Sequence, residues 1–467
     1  MQPTLRKICA ALVALGGLAP GGAWASGVGG GVGPGLIWGV PFAGMLLSIA
    51  LLPVLAPRFW GRRMGVVALG WAVLLVGARG AVLGPGEALG AAWHAVLVDY
   101  LPFVTVLAAM YAVGGGVLIK GGPWGTPWGN TLLLGIATLC AGVVGPIAVS
   151  MVLIHPLLRA NAHRVRKVHL VVFFIVLVCN VGGITTPLGN PPLYIGLLQG
   201  VPFLWPMAAL WRIAAVLAGP LLVVFWLVDR HMAAGSLPAP RRQRLQVLGW
   251  GHLAMLGLLV GAVLVQSAWR PGEVVVFGAR MGLERLLGIA VFGLVAVTAA
   301  VSTPLAVRQG NMVEWAPMVE VATLFAGIFV TITPVLEMMA AGPGGALGGV
   351  LRLAGDGAGG ASPVAYFWLS GVLSAVLDNA PTYYLFFTMA GGDAARLTGE
   401  GAVVLMAMSA GSVCFGALTY IGNAPNMMVR GVAAHRGVRM PGFFGYMLYA
   451  CALLLPGFVA VTLLFFL

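Results

Sequence analysis

Residues 183–192 read GITTPLGNPP, and residues 416–425 read GALTYIGNAP. Five of the ten positions are identical: Gly183/Gly416, Thr186/Thr419, Gly189/Gly422, Asn190/Asn423 and Pro192/Pro425, with Leu188 and Ile421 alike. The two segments stand 233 residues apart (419 − 186). A second pair, Gly145-Pro146 and Ala380-Pro381, recurs at an offset of 235 (381 − 146). One match means little in a chain with 70 glycines, but two at nearly constant offset mark an internal repeat.

The surroundings of these segments set the solvent. Of 467 residues, 60% are hydrophobic and 8% charged, against about 25% charged in soluble domains. A water-soluble chain, a disordered one and a nucleic-acid binder are thereby excluded. The net charge of +13 is spread in short basic clusters between long apolar runs, as in the loops of polytopic membrane proteins. The five cysteines lie singly in apolar stretches and read as small packed residues, with neither a disulfide framework nor a zinc site. The expected fold class is an all-α polytopic membrane protein embedded in a lipid bilayer.

A hydrocarbon core of about 30 Å takes about 20 apolar residues per helix. Ten spans fit: 36–56, 64–84, 95–119, 168–200, 203–228, 247–267, 286–306, 315–340, 401–428 and 442–466. Arg58, Arg62 and Arg63, Lys120, the group from Arg159 to Lys167, the group from Arg230 to Arg244, Arg308, and Arg430 to Arg439 then share one face, the cytoplasmic one. Arg270, Arg280 and Arg285 fall on the other face, beside Glu273 and Glu284. Before the spans, Arg6 and Lys7, the apolar run 8–18 and Ala23-Trp24-Ala25 read as a cleavable signal peptide over residues 1–25. The mature transporter domain, 26–467, would start outside the cytoplasm of a bacterial inner (plasma) membrane.

Two apolar stretches do not fit as spans. Residues 129–157 are flanked by Lys120 and Arg159 on the inner face, and residues 362–391 by Asp356 and Asp393 on the outer one. Each enters and leaves on the same side, so each is expected to be a re-entrant hairpin, one from either face. The repeats are then inverted: repeat 1 covers about 87–228, repeat 2 about 312–467, and connecting helices occupy about 247–306.

Glycine and proline in the repeated segments cannot continue a helix, so two helices are expected to break near the bilayer midplane. Freed backbone groups there cost several kcal/mol unless something satisfies them. Broken helices in inverted repeats are how secondary transporters build ion and substrate sites. The side chains placed there are neutral oxygens and amides: Asn180, Thr185, Thr186 and Asn190 in the first half, Thr419, Asn423 and Asn426 in the second, with Ser150 near the first hairpin tip. Asp378, in LDNAPTYYLF beside Asn379 and Thr382, brings a titratable acid to the second tip. A carboxylate at that depth must be paired, protonated or bound to a cation; the competing reading is a helix N-cap. Asp99 and Glu320 head long spans and are candidate proton relays. Glu337 and Arg212 read as snorkelling residues, His94, His155 and His169 as packed or solvated ones, and the methionines and aromatics as core or lipid-facing.

The strings NVGGITTPLGNPPLYIGLLQGVPF, LDNAPTYYLFFTMAGGD and TYIGNAPNMMVRGVAAHRGVRMPGFFGYM resemble the citrate-transport or sodium:proton antiporter group of the ion transporter superfamily, which includes NhaD-type antiporters. The resemblance extends over nearly the whole mature chain. It implies a scaffold and a transport domain, elevator-like alternating access, a homodimer, and ion or substrate contacts at residues 146–150, 378–382, 185–190 and 419–423. Three positions depart from the pattern: Asn190 stands where Asp is usual, the first tip reads GVVGPIAVS in place of a threonine- and serine-rich turn, and an Asn is missing near Leu418. These losses thin the cation ligands of the first half, while the second keeps Asp378.

The expected function is ion-coupled secondary transport, with Na+/H+ antiport leading and ion-coupled transport of citrate or a related carboxylate as the alternative. No cofactor is called for; sodium and protons are cargo, bound near Asp378 and Asn423, and no structural metal is expected. A passive channel would need repeated ligand rings, and no motif of a hydrolase or a phosphate loop supports an enzyme.

Overall fold

In the computed structural model, residues 35–233, 243–311, 313–355 and 361–467 are described; the expected signal peptide lies outside them. The first two helices are α1 (Val40–Leu55) and α2 (Pro57–Leu83), the latter opening on a proline at its first position. Arg58, Arg62 and Arg63 are exposed within the first two turns of α2, not in a loop. Next comes one continuous rod: α3 (Pro85–His94), a π-helical segment (Ala95–Tyr100) and α4 (Leu101–Gly115). Asp99 therefore sits well inside a helix that starts ten residues before the expected span, which corrects its placement at a span start.

The first hairpin is α5 (Pro127–Val144) and α6 (Pro146–Ala160). Gly145 turns the chain with φ +86°, a left-handed value suited to glycine, and Pro146 starts the return helix without needing a donor. The hairpin's root is tied: Asn130 and Asn161 exchange side-chain hydrogen bonds of 3.0 and 2.9 Å. Helix α7 (Val168–Leu177) and helix α8 (Pro191–Leu198) are two halves of one crossing, followed by α9 (Trp205–Ala233). The α7 sequence VHLVVFFIVL is apolar all round, and it is surrounded by protein on every side.

The connecting unit is α10 (Trp250–Ala268), α11 (Leu283–Ser302) and α12 (Leu305–Gly310). Two short antiparallel strand pairs, which the all-α reading did not anticipate, flank it. They are β1 (Leu118–Gly122) with β2 (Gln243–Leu248), and β3 (Glu273–Val276) with β4 (Ala279–Gly282). The second half contains α13 (Ala316–Ala340), α14 (Gly348–Leu353), and a second hairpin of α15 (Pro363–Val376) and α16 (Asn379–Met389). Tyr366 near the start of α15 packs on Phe386 near the end of α16, with ring centres 5.8 Å apart, so the two arms run back on each other. At 1.5 Å per residue these arms are about 21 and 16 Å long, too short to cross a core of about 30 Å. After α17 (Ala394–Thr398) come the half-helices α18 (Ala402–Cys414) and α19 (Ala424–His435), and finally α20 (Phe443–Phe465).

Among the described residues, ten helices are long and apolar enough to cross a membrane. The set differs from the expected ten at one place: the first hairpin arm qualifies by length and composition, whereas the broken 401–428 crossing does not. Exposed leucines and valines such as Leu69, Leu227, Leu258, Leu294 and Leu448 form the apolar outer surface that a bilayer would wet.

Candidate functional site

The two breaks have one backbone design. After α7 the chain makes a 3-10 turn (Val181–Thr185), and Thr186 extends at φ −139°, ψ 163°. Asn190 (φ −160°, ψ 143°) then leads into α8. After α18 a 3-10 turn (Phe415–Leu418) is followed by Thr419 at φ −132°, ψ 163°, and Asn423 (φ −153°, ψ 134°) leads into α19. In both, the threonine hydroxyl accepts from the glycine three residues on: Gly189 N to Thr186 Oγ1 at 3.2 Å, and Gly422 N to Thr419 Oγ1 at 3.0 Å. The loop walls nearly touch, since a Cβ on Gly183 would lie 2.0 Å from the Gly189 carbonyl and one on Gly416 2.9 Å from that of Gly422. Only glycine fits.

Each hairpin tip docks on the break of its own half. A Cβ on Gly142 would lie 2.2 Å from Thr185 Oγ1, and one on Gly145 2.6 Å from the Leu188 carbonyl. In the second half, Thr419 Oγ1 donates to the Ala375 carbonyl (2.6 Å) and Ser374 Oγ to that of Ser412 (2.6 Å). Asn379 lies against Gly422 and Ser374, and its amide meets that of Asn190 at 3.3 Å.

The halves are then stitched to each other by amides. Asn423 Nδ2 donates to Asn180 Oδ1 (3.1 Å) and to the Cys179 carbonyl (2.8 Å). Asn180 Nδ2 donates to Asn426 Oδ1 (2.9 Å) and to the Ile175 carbonyl (2.9 Å). Asn426 Nδ2 in turn holds the carbonyls of Gly416 and Thr419, both at 2.9 Å. All three amides are fully buried. With both its protons committed, Asn423 presents a carbonyl oxygen, Oδ1, that has no partner.

A cavity of about 220 Å³ is lined by both Asp378 and Asn423. Asp378 caps α16, accepting from Ala380 N at 3.3 Å, and Thr382 Oγ1 donates to its backbone carbonyl at 3.1 Å. The capping and the functional readings thus meet in one half-buried side chain. Among the described residues the ion pairs are Arg79–Glu337, Arg164–Asp229 and His169–Asp229, so Asp378 has no cationic partner. Glu314 and Glu320 also line the cavity, with walls from Trp60, Tyr111, Phe325, Met151, Met427 and Met428. Neither lysine nor arginine lines it; His435 is the one basic group.

The structure gathers Asp378, Asn423 and Glu320 on one cavity, with Asn379 and Asn190 in contact behind it and Asn180 and Asn426 in the stitch. Ser150 is apart from these, its Oγ 3.4 Å from Cys179 Sγ. Asp99 does not join them. It lines a separate polar cavity of about 470 Å³ with His94, Gln199, Arg285 and Tyr384, about 18 Å of helix away from Tyr111.

Two pairings correct the sequence reading. Glu337 does not snorkel; it takes a two-pronged bond from Arg79 at 3.0 and 3.2 Å. His169 is not isolated: it bonds Asp229 at 2.8 Å, and the same carboxylate takes Arg164 and Asn130 Nδ2 (2.9 Å). Asp229 was missed altogether, although an acid ending the apolar run LLVVFWLV is a visible signal. It is wholly buried and joins the root of the first hairpin to the end of α9. The aromatic and methionine walls were also read as core, because sequence cannot say which packed face borders a void.

A family model described as "Putative citrate transport" matches residues 33–466. The chain belongs to this family. It is a multi-pass membrane transporter, and the resemblance noted in the three long strings is thereby placed at family level. No curated protein matches it. The family assignment spans both breaks, both hairpins and every residue lining the cavity.

Proposed function

We propose that the protein is an ion-coupled secondary transporter exchanging sodium for protons by alternating access, with Asp378 as the group that carries either. The observation behind this reading is an Asp378 carboxylate without a cationic partner among the described residues, on a cavity that Asn423 and Glu320 also line. A proton and a cation neutralise the same carboxylate, so one must leave before the other binds. Either one discharges the acid, and a discharged site passes through a low-dielectric barrier at far lower cost than a charged one. Glu320 and Glu314, which line the same cavity, supply further hard oxygens suited to sodium.

A second reading, ion-coupled transport of citrate or a related carboxylate, is favoured by the family's description. Against it stands the lining of the cavity, where three carboxylates and no arginine or lysine are present to clamp an organic anion.

Proteoliposomes with an internal pH dye test the choice. Sodium-evoked alkalinisation that disappears in Asp378→Asn supports exchange. Accumulation of labelled citrate without a sodium-evoked proton signal would replace it with the second reading. Our proposal also includes a homodimer in a bacterial inner membrane, its N-terminus outside after leader removal. It calls for no cofactor, nucleic acid or catalysis.

A further inference from the structure

The cavity beside Asp378 is poorly matched to a bare sodium ion alone. Its volume of about 220 Å³ is many times the roughly 10–15 Å³ that one water molecule needs. Most of its wall is hydrocarbon, aromatic ring or thioether, which cannot replace a sodium hydration shell. Trp60 from α2, Tyr111 from α4 and Phe325 from α13 bring three rings to it, while α6 and α19 bring Met151, Met427 and Met428. Asp378 and Glu320 set two carboxylates among them. Acid together with π faces and polarisable sulfur is the chemistry that recognises an ammonium carrying apolar groups. An organic anion would meet carboxylates and no arginine or lysine.

We propose that this cavity takes an organic ammonium ion as cargo, its charge on Asp378 and Glu320 and its apolar groups against Trp60, Tyr111 and Phe325. The proposal rests on the cation-exchange reading of the same site and extends it from inorganic cations to a class of larger ones. As with sodium, the ammonium binds Asp378 as the carboxyl proton is released to the face of entry, and after the ammonium leaves on the far face a proton binds there and returns on the opposite stroke.

Phenyltrimethylammonium is the test compound, given to proteoliposomes that hold a pH dye, with tert-butylbenzene as its uncharged isostere and benzoate as the anion. The compound should evoke alkalinisation or compete with sodium, and neither comparison should do so. Phe325→Leu and Trp60→Leu, which keep an apolar wall, should each raise its half-saturating concentration about fivefold, more than they raise that of sodium. If sodium evokes alkalinisation and phenyltrimethylammonium neither drives nor competes, or if both variants shift the two cations equally, this inference falls while cation exchange stands. If no cation moves protons and labelled citrate accumulates, both fall.

Discussion

Asn423 of the second broken helix donates to Asn180 of the first across 3.1 Å, although 243 residues separate them in the chain. That bond, with its neighbours to Cys179 and Asn426, turns two interrupted crossings into one buried unit.

Removing Asn180 tests the unit. Asn180→Ala strands the Asn423 amide and Asn426 Oδ1 in a dry interior, at an expected cost of about 1–3 kcal/mol. Thermal unfolding in detergent should show a lowered midpoint, with cation exchange weakened in proportion to the fraction still folded.

The acidity of the medium should act through Asp378. Because proton and cation compete for one carboxylate, the half-saturating sodium concentration should rise as pH falls. The limiting slope is about tenfold per unit once the acid is mostly protonated. Dye-reported exchange measured across pH gives the slope, and a flat profile would remove Asp378 from the coupling role.

The Asp229 cluster should prove structural. Asp229→Asn leaves Arg164, itself buried, facing a neutral amide, and breaking such a pair costs about 3–5 kcal/mol. The double variant Arg164→Met with Asp229→Leu should recover part of that loss. Yield and thermal midpoint in detergent are the readouts.

Glycine spacing at the breaks can be tested with one methyl group. Gly183→Ala would press its Cβ to within 2.0 Å of the Gly189 carbonyl, so the first break must open, and exchange should fall to background. Gly257→Ala in α10, where nothing lies within 4 Å, should be neutral or stabilising by up to about 1 kcal/mol.

Much of this architecture was legible because a bilayer allows few solutions. The apolar run lengths placed most of the helices to within a few residues, although two begin seven and ten residues early, and GITTPLGNPP and GALTYIGNAP marked where two of them stop. Two apolar stretches that did not fit as spans proved to be helix pairs that turn back on themselves, α5 with α6 and α15 with α16. The strands at residues 118–122 and 243–248 were not legible, since each needs a partner more than a hundred residues away and has no alternating pattern. Asp99 was misplaced because its helix already begins at Pro85, ten residues before the expected span; proline is well tolerated in a helix's first turn. The roles of Trp60 and Phe325 depend on an empty space between helices, and hydrophobicity alone does not distinguish a wall from a core.

The seam joining the two crossings is made from amides, which neither gain nor lose a proton anywhere in the physiological range. Its grip is therefore indifferent to acidity and, being dry, to salt. Chemical sensing is left to the carboxylates facing the void, so the machine's hinge-pin and its detector are separate parts that can be altered one at a time.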